Sequence, residues 1–342
     1  MGLQVSEIIP RQEIELEDLS GKIIAVDAFN TIYQFLTTIR QPDGTPLMDR
    51  KGRITSHLSG LFYRTTNLMN KGLKLVFVFD GEAPELKHGT HELRDEAKRT
   101  AREKYESFRE AGEFEEAGKY AGRFVTLNEE MIEESKRLIS ALGLPVVQAP
   151  SEGEAQAAFM AKRKDVFASA SQDYDSLLFQ SPKLIRNLTL ARKRKLASGA
   201  FISIEPEYVD LQRVLNTLQI NQDQLICLGI LIGTDYNPKG VKGIGPKTAL
   251  KIVRQYKQPL TIFSNVRKEY EFDFEWPEIF ELFKKPDVTS DYKIKFNPVD
   301  KNELKKLLVK EHDFSEDRID SALEKLEKQK EELQQKDLKK WF

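Results

Sequence analysis

Three short apolar segments, each ending in or just before an aspartate, most constrain the fold of this chain. They are GKIIAVD (21–27), LKLVFVFDG (73–81) and DVFASASQD (165–173). Apolar runs of this length, separated by helical patterns, are typical of buried strands in a largely parallel sheet. A lone aspartate after a strand is usually a turn or cap residue, but three in succession favour a site, because ligands bind beyond the carboxyl ends of such strands. The sequence therefore predicts an α/β fold, a largely parallel twisted central sheet with helices on both faces, that gathers Asp27, Asp80 and Asp173 at one edge.

The segment SEGEA (151–155) adds two carboxylates close together. Ser151 with Glu154 three residues later matches a capping box, in which the two side chains satisfy backbone N–H groups at a helix start. The preceding Pro150 and the following AQAAFMAK agree with a helix start. The segment alone favours this structural interpretation, and a chemical role for Glu152 and Glu154 stays open.

A charged segment runs from Pro84 to about Phe124 and has helical composition without an apolar stripe in its first half. Four basic residues at helical spacing share a face on which like charges repel, which makes sense if an anion binds there. They are Lys87, Arg94, Lys98 and Arg102. The alternative is a solvated helix whose acidic residues neutralise neighbouring faces.

A glycine turn, GIGPKTA (243–249), follows an apolar helix and the segment GTDY (233–236). Gly243 and Gly245 allow close backbone approach, Pro246 suits the first residue of a helix, and the helix N-terminus offers N–H groups to a phosphate. Nearby lysines favour that use over an ordinary turn: Lys239, Lys242, Lys247 and Lys251. We predict a clamp on the DNA backbone, a DNA-binding motif of the helix-hairpin-helix type.

Composition limits the classes of protein that the chain can belong to. Its 342 residues allow one large domain or two ordinary ones, and it has no apolar run near the roughly 18 residues of a membrane span. The net charge is −1, so a nucleic-acid site requires locally segregated charge. The single cysteine, Cys227, lies in an apolar run, which predicts a buried, reduced thiol in an intracellular protein.

In order and spacing, the acidic motifs resemble those of the flap endonucleases, a family of structure-specific 5′ nucleases. The motifs are Asp27, Asp80-Gly81, Glu152-Gly153-Glu154, Asp173-x-Asp175 and Gly233-Thr234-Asp235-Tyr236, followed by GIGPK. The resemblance runs from Gly2 to Phe342, and its compact length is similar to that of archaeal members. It implies a 5′-flap endonuclease with 5′–3′ exonuclease activity that hydrolyses branched DNA by a two-metal-ion mechanism, in Okazaki fragment maturation and long-patch base excision repair.

The resemblance also implies two Mg²⁺ per subunit, with Mn²⁺ as an alternative, held by seven carboxylates. The first ion would be bound by Asp27, Asp80, Glu152 and Glu154, and the second by Asp173, Asp175 and Asp235. Seven carboxylates at one edge could not all stay ionised without cations, and Mg²⁺ prefers hard oxygen ligands.

The DNA contacts implied by the resemblance surround this site. Lys87 and Arg94 match a basic pair that contacts the scissile phosphate from a helical arch, which we expect to become ordered on substrate. The other contacts are Tyr33, which stacks on a base, Arg40, Arg64, Glu152, Gly233, Asp235, Gly243, Gly245 and Lys247.

The segment QKDLKKWF (335–342) resembles a peptide that binds the sliding clamp, through Gln335, Leu338, Trp341 and Phe342. The alternative is a C-terminal helix that packs its aromatic residues on its own domain.

We expect an intracellular monomer that acts with DNA, in the cytoplasm or nucleoid if archaeal, and binds no membrane. The expected regions are a nuclease region (1–98), an arch segment (99–125), an internal nuclease region with the glycine turn (126–258), a helical region (259–329) and a clamp-binding tail (330–342).

Two other functions are compatible with parts of the pattern. A related ribonuclease of the same sheet type would share the clustered aspartates but would need neither the glycine turn nor the clamp peptide. A non-catalytic binder of DNA junctions, tethered to the clamp, is disfavoured because an acidic edge repels DNA unless metal is bound there.

Overall fold

The computed structural model describes residues 3–41, 43–122, 124–190, 193–195 and 201–339. Within these ranges, side chains are described except at 85, 88–94, 114–115, 193–195, 201–202 and 330–339. The strands are β1 (Gln12–Glu13), β2 (Ile23–Asp27), β3 (Lys74–Phe79), β4 (Val146–Gln148), β5 (Ala168–Ala170), β6 (Lys183–Arg186), β7 (Lys193–Lys195), β8 (Phe201–Ser203) and β9 (Glu207–Asp210).

The α helices are α1 (Ala28–Thr38), α2 (Ser56–Asn70), α3 (His88–Glu110), α4 (Phe114–Ala121), α5 (Glu129–Ala141), α6 (Gly153–Lys162), α7 (Asp175–Leu178), α8 (Leu211–Leu218), α9 (Gln222–Ile232), α10 (Pro246–Tyr256), α11 (Pro259–Glu269), α12 (Trp276–Lys284), α13 (Lys301–Lys305) and α14 (Glu316–Lys339). Two 3₁₀ turns cover Leu16–Leu19 and Glu85–Lys87, and a π-helical turn covers Lys306–Glu311.

The central sheet has seven strands in the order β1-β9-β6-β5-β2-β3-β4. The run from β6 to β4 is parallel, and β9 and β1 join one side in antiparallel orientation. This order confirms the predicted α/β fold and places the three aspartate-terminated segments on neighbouring strands. The strand expected within 165–173 is shorter than that range, since it ends at Ala170 and leaves Asp173 in the connection to α7.

Helices cover both faces of the sheet because alternate residues of its strands point to opposite sides. Ile24, Val26 and Phe77 share a buried cluster with Phe35 of α1 and Leu61 of α2. Because both sets of alternate residues are buried, the strands read as continuous apolar runs.

The opposite face of the same strands is covered by α6. Ala25, Val76 and Val78 share a second cluster with Ala157 and Met160 of that helix. The start of α6 lies close to the carboxyl end of β3, since a Cβ at Gly153 would be 3.2 Å from the carbonyl oxygen of Val78.

A further core joins the helices that carry the glycine turn to the sheet. It contains Ile226 of α9, Val253 of α10, Phe263 of α11 and Phe283 of α12. The predicted burial of the Cys227 thiol in this core is confirmed. No helix among the residues described above combines the length and the apolar character that crossing a bilayer requires.

Candidate active site

The carboxyl ends of β5, β2 and β3 bring three aspartates to one edge of the sheet. Asp27 ends β2, and its Oδ1 caps α1 by accepting a hydrogen bond from the backbone N–H of Asn30 at 3.0 Å. The side-chain amide of Asn30 donates to Oδ2 of Asp173 at 2.9 Å. Asn30 therefore fixes the positions of Asp27 and Asp173, two of the predicted metal ligands, relative to each other. Asp80, the third aspartate, follows the neighbouring strand β3.

The segment 151–155 does start a helix, but the capping-box interpretation is wrong. The N-cap residue of α6 is Glu152, without a side-chain capping bond, and Gly153 is the first helical residue. The cap comes instead from the residue that follows β3, because Oδ1 of Asp80 accepts a hydrogen bond from the N–H of Gly153 at 2.8 Å. A Cβ at Gly153 would lie 2.5 Å from that oxygen, so a larger residue would displace the Asp80 carboxylate.

Glu154 and Asp175 lie deeper in the same cluster. The hydroxyl of Ser171 donates a hydrogen bond to Oε1 of Glu154, and the backbone N–H of Leu3 donates to Oδ1 of Asp175 at 3.1 Å. Each carboxylate is thereby oriented by a partner from a different part of the chain.

Burial and mutual repulsion raise the pKa values of these acids. Burial, followed by the charge of Glu152, raises the pKa of Asp80 to about 6, and burial with Asp235 raises the pKa of Asp175 to about 7. Burial also raises the pKa of Asp27 and of Glu154 well above their usual values. The cluster therefore favours bound protons or cations over free carboxylates.

This donor set fits divalent cations that prefer oxygen ligands. Among the described residues, no three His, Cys, Asp or Glu side chains are already arranged as a metal site. The fit therefore rests on the chemistry, burial and repulsion of the carboxylates.

A lysine side chain enters the cluster of carboxylates at this edge of the sheet, which we call the acidic edge. Its members are Asp27, Asp80, Glu152, Glu154, Asp173, Asp175 and Asp235. Nζ of Lys87 donates hydrogen bonds to Oε1 and Oε2 of Glu152 at 2.9 and 2.8 Å and lies 3.6 Å from Oδ2 of Asp235. Burial lowers the pKa of Lys87, but the neighbouring carboxylates outweigh it and raise the pKa above its usual value. Arg94 follows two helical turns later on α3, and its side chain lies outside the described residues.

Three predicted DNA contacts lie on or near helices α1 and α2. Tyr33 and Arg64 are half-buried on α1 and α2. The guanidinium of Arg40, by contrast, donates to the carbonyls of Leu36, Thr37 and Gly44 at 2.7–2.9 Å. In this structure Arg40 stabilises the turn after α1, and a phosphate would compete with those carbonyls.

The glycine turn has the predicted arrangement of turn and helix. Gly243 has φ 90°, Gly245 is the N-cap of α10, and Pro246 is the first residue of that helix. Gly245 is exposed, and a Cβ there would meet no atom within 4 Å, so the backbone at the start of α10 is accessible. Lys247 is 80% exposed and lies 3.5 Å from a carboxylate oxygen of Glu7. Before the turn, Gly233 ends α9 with φ 119°.

The predicted clamp-binding residues are only partly described. Helix α14 continues to Lys339, so the backbones of Gln335 and Leu338 are helical. Their side chains, and all of Trp341 and Phe342, lie outside the described residues.

Sequence reasoning missed the residues that orient the carboxylates. Asp27 before an apolar-periodic segment is typical of an N-cap, which predicts its bond with the backbone N–H of Asn30 but not the bond of the Asn30 side chain with Asp173. Ser171 and the Leu3 amide carry no comparable signal, because only the tertiary fold brings them to their partners.

Two family models match the chain, the XPG N-terminal domain over residues 3–101 and the XPG I-region over residues 143–235. The chain is 54% identical to flap endonuclease 1 of Pyrococcus furiosus over 343 aligned positions, which cover 100% of this chain and 99% of that protein. It is 52% identical to flap endonuclease 1 of Hyperthermus butylicus, with 96% and 95% covered.

Solved structures agree with these relatives. Flap endonuclease-1 from Methanococcus jannaschii superposes with a TM-score of 0.76 at 44% identity, over 96% of this chain and 98% of that one. The catalytic core of Rad2 in complex with a DNA substrate shares the fold, with a TM-score of 0.70 at 24% identity, over 95% of this chain and 100% of that one. The chain therefore belongs to the flap endonuclease family.

Proposed function

We propose that this chain is a structure-specific nuclease that cuts the 5′ flap of branched DNA near the junction and also degrades DNA from 5′ ends. Its roles are Okazaki fragment maturation in DNA replication and long-patch base excision repair. The observation that carries the proposal is the acidic edge itself, where carboxylates from separate segments are buried together and share raised pKa values, in a chain of this family.

We propose that the acidic edge holds two Mg²⁺, with Mn²⁺ as a possible substitute. Asp27, Asp80, Glu152 and Glu154 would bind the first ion, and Asp173, Asp175 and Asp235 the second. When bound, such ions lower the pKa of an attacking water and stabilise the entering and leaving oxygens of a phosphodiester displacement. This chemistry requires no protein nucleophile.

The surrounding residues of the chain orient the acids and supply positive charge. Asn30, Ser171 and the Leu3 amide fix the carboxylates, since each donates to one of them. Lys87 and Arg94, at the start of α3, would carry positive charge to the scissile phosphate as negative charge develops there.

The DNA path would run from the acidic edge to the glycine turn. Tyr33 would stack on a base near the cut, and Arg64 and Arg40 would contact phosphates close to the site. The open N-terminus of α10, with Gly243, Gly245 and Lys247, supports a contact with the backbone of duplex DNA.

We further propose that the protein acts as a monomer and binds the sliding clamp through Gln335, Leu338, Trp341 and Phe342. Two adjacent aromatic residues, Trp and Phe, suit a groove on a partner, where large aromatic anchors contribute most of the binding energy.

The proposal is tested with three labelled substrates, namely a double-flap DNA, a hairpin RNA and a plain single-stranded DNA, each with Mg²⁺ or with EDTA. We expect cleavage of the flap near the junction that EDTA abolishes. Cleavage of the RNA but not of the flap would favour the ribonuclease alternative, and binding without cleavage would favour the junction binder.

The variant Asp175→Ala separates metal binding from DNA binding. It removes a buried second-site carboxylate without touching the glycine turn, so flap cleavage should be lost while affinity for the flap DNA persists. Gel-shift and cleavage assays on the same preparation measure both, and loss of DNA binding would show that the acidic cluster has another role.

A further inference from the structure

The acidic edge already contains a cation that belongs to the chain. Lys87 is buried, and its ammonium donates to both carboxylate oxygens of Glu152 at 2.8–2.9 Å while lying 3.6 Å from Asp235. An ammonium group offers three donors and no acceptor, so it satisfies a carboxylate much as a metal ion does. Glu152 and Asp235 are also predicted ligands of the two different ions.

Lys87 stands directly before α3, so its contact with Glu152 also holds the start of that helix in place. Lys87 is the last residue of the 3₁₀ turn Glu85–Lys87, its N–H donates to the carbonyl of Pro84 at 2.9 Å, and α3 begins at the next residue. The ion pair therefore ties the first turn of α3 to the acidic edge. A displacement of the ammonium has to move the start of that helix or turn the Lys87 side chain out of the cluster.

We propose that the Lys87 ammonium and the divalent ions compete for Glu152 and Asp235, so that metal binding releases Lys87 and the start of α3 from the acidic edge. The inference rests on the proposed function, because it takes the acidic edge to be the metal site. The physical reason is that oxygen lone pairs directed at Nζ are not available to a metal ion, and two cations in one small cluster repel. Once released, the same ammonium is free to meet the phosphate of a substrate, which couples metal loading to the positioning of DNA.

The test measures metal affinity without DNA. Binding of Mn²⁺ is followed by electron paramagnetic resonance of the free ion, with the full chain and with Lys87→Met. Removing the competing charge should tighten Mn²⁺ binding by about tenfold, which corresponds to about 1.4 kcal/mol. Lys87→Arg keeps a competing positive charge, so it should not tighten Mn²⁺ binding.

Lys98→Met is the matched control. Lys98 lies on the same helix and pairs with Asp95 at 3.3 Å, so its replacement removes one positive charge from α3 without touching the acidic edge. Wild-type Mn²⁺ affinity is expected. If Lys98→Met tightens binding as much as Lys87→Met does, the effect is a general one of net charge and the inference is overturned.

A second measurement uses the wild-type chain alone and therefore does not depend on the folding of a variant. Amide hydrogen exchange of residues 86–92 should become faster when Mn²⁺ is added, because the tether of α3 is released, and exchange in α5 should not change. Unchanged exchange in 86–92 would contradict the release of α3, and Mn²⁺ affinity of Lys87→Met that is equal to or weaker than wild type would contradict the competition.

Failure of this inference can be told apart from failure of the proposed nuclease function. If the wild-type chain cuts flap DNA with Mg²⁺ and not with EDTA, the nuclease function stands even where the affinity of Lys87→Met fails to rise. If the wild type cuts none of the three substrates, the nuclease function fails whatever the Mn²⁺ measurements show.

Discussion

At the scale of single residues, the acidic edge depends on side chains that never touch a reacting atom. Asn30 illustrates this, because its backbone N–H donates to Asp27, the N-cap of α1, and its side-chain amide donates to Asp173. Removal of a group that orients a metal ligand typically costs 10- to 100-fold in metal affinity or activity.

Asn30→Ala should therefore lower Mn²⁺ affinity and flap cleavage by about 10- to 100-fold while leaving the fold intact. The backbone bond to Asp27 survives this substitution, and only the amide bond to Asp173 is lost. Calorimetric titration with Mn²⁺ measures the affinity, and the thermal unfolding temperature serves as control. A variant with wild-type affinity would show that Asp173 keeps its position without Asn30.

A second residue-scale feature lies away from the site, where Glu134 of α5 meets two buried histidines. Its Oε1 lies 2.7 Å from Nε2 of His312 and its Oε2 lies 3.5 Å from Nε2 of His57. Burial raises the pKa of Glu134, but the hydrogen bond with His312 and the proximity of His57 outweigh burial and lower the pKa from 4.5 to about 2.

This pKa has a defined effect on stability. A carboxyl whose pKa is lower in the folded state stabilises the fold above its unfolded pKa, and that stabilisation is lost as the pH falls. The free energy of unfolding should therefore decline between about pH 4.5 and pH 2, and Glu134→Gln should flatten that part of the curve. Urea titrations at several pH values measure it, with Glu133→Gln on the same helix as the matched control. Equal slopes in all three proteins would refute the assignment.

At the scale of elements, the start of α6 shows how one strand completes a helix from another part of the chain. Asp80 caps α6 from the end of β3, and Gly153 leaves just enough room for the carboxylate. The site therefore depends on the contact between the two elements as well as on their own sequences.

Gly153→Ala and Ser151→Ala form a matched pair that tests this arrangement. The first places a methyl group 2.5 Å from Asp80 Oδ1, so it should displace Asp80 and reduce cleavage by about 10- to 100-fold. Ser151 caps nothing, so its replacement should change the free energy of unfolding by less than about 0.5 kcal/mol, against the roughly 1 kcal/mol expected for a true N-cap. A decrease of 1 kcal/mol or more in the free energy of unfolding of Ser151→Ala would show that Ser151 does cap the helix.

A second feature at this scale is the pair of helices, α3 and α4, in the charged segment. The structure has helices α3 and α4 where the sequence predicted an arch, with Lys87 directly before α3 and Arg94 two turns further along. Both side chains can reach one phosphate only if that stretch stays helical with DNA bound.

We therefore expect hydrogen exchange in residues 88–122 to slow when flap DNA binds. The measurement uses Asp175→Ala, which is expected to bind flap DNA without cutting it, and duplex DNA without a flap is the control. Equally fast exchange with and without flap DNA would contradict ordering on substrate.

At the scale of the whole molecule, the sequence predicted the layers of the fold because apolar runs and their ends are local signals. The runs that end near Asp27 and Asp80 became β2 and β3 almost within their predicted bounds. The engagement of Arg40 with three carbonyls and the capping of α6 by Asp80 could not be predicted, since both depend on partners brought together only by folding. The entry of Lys87 into the acidic edge is a tertiary result of the same kind, because its ion pairs join residues 65 positions or more apart in sequence.

The strand order has a consequence during synthesis of the chain. Asp27 emerges early, but its neighbours at the edge of the sheet include Asp173, and the cluster also needs Asp235. Contacts so distant in sequence form late, and chains fold largely as their segments become available. A chain still being made cannot assemble the full set of carboxylates until more than two-thirds of it has left the ribosome. Under the proposed function, a partly made chain is therefore expected not to cut nucleic acid near the ribosome.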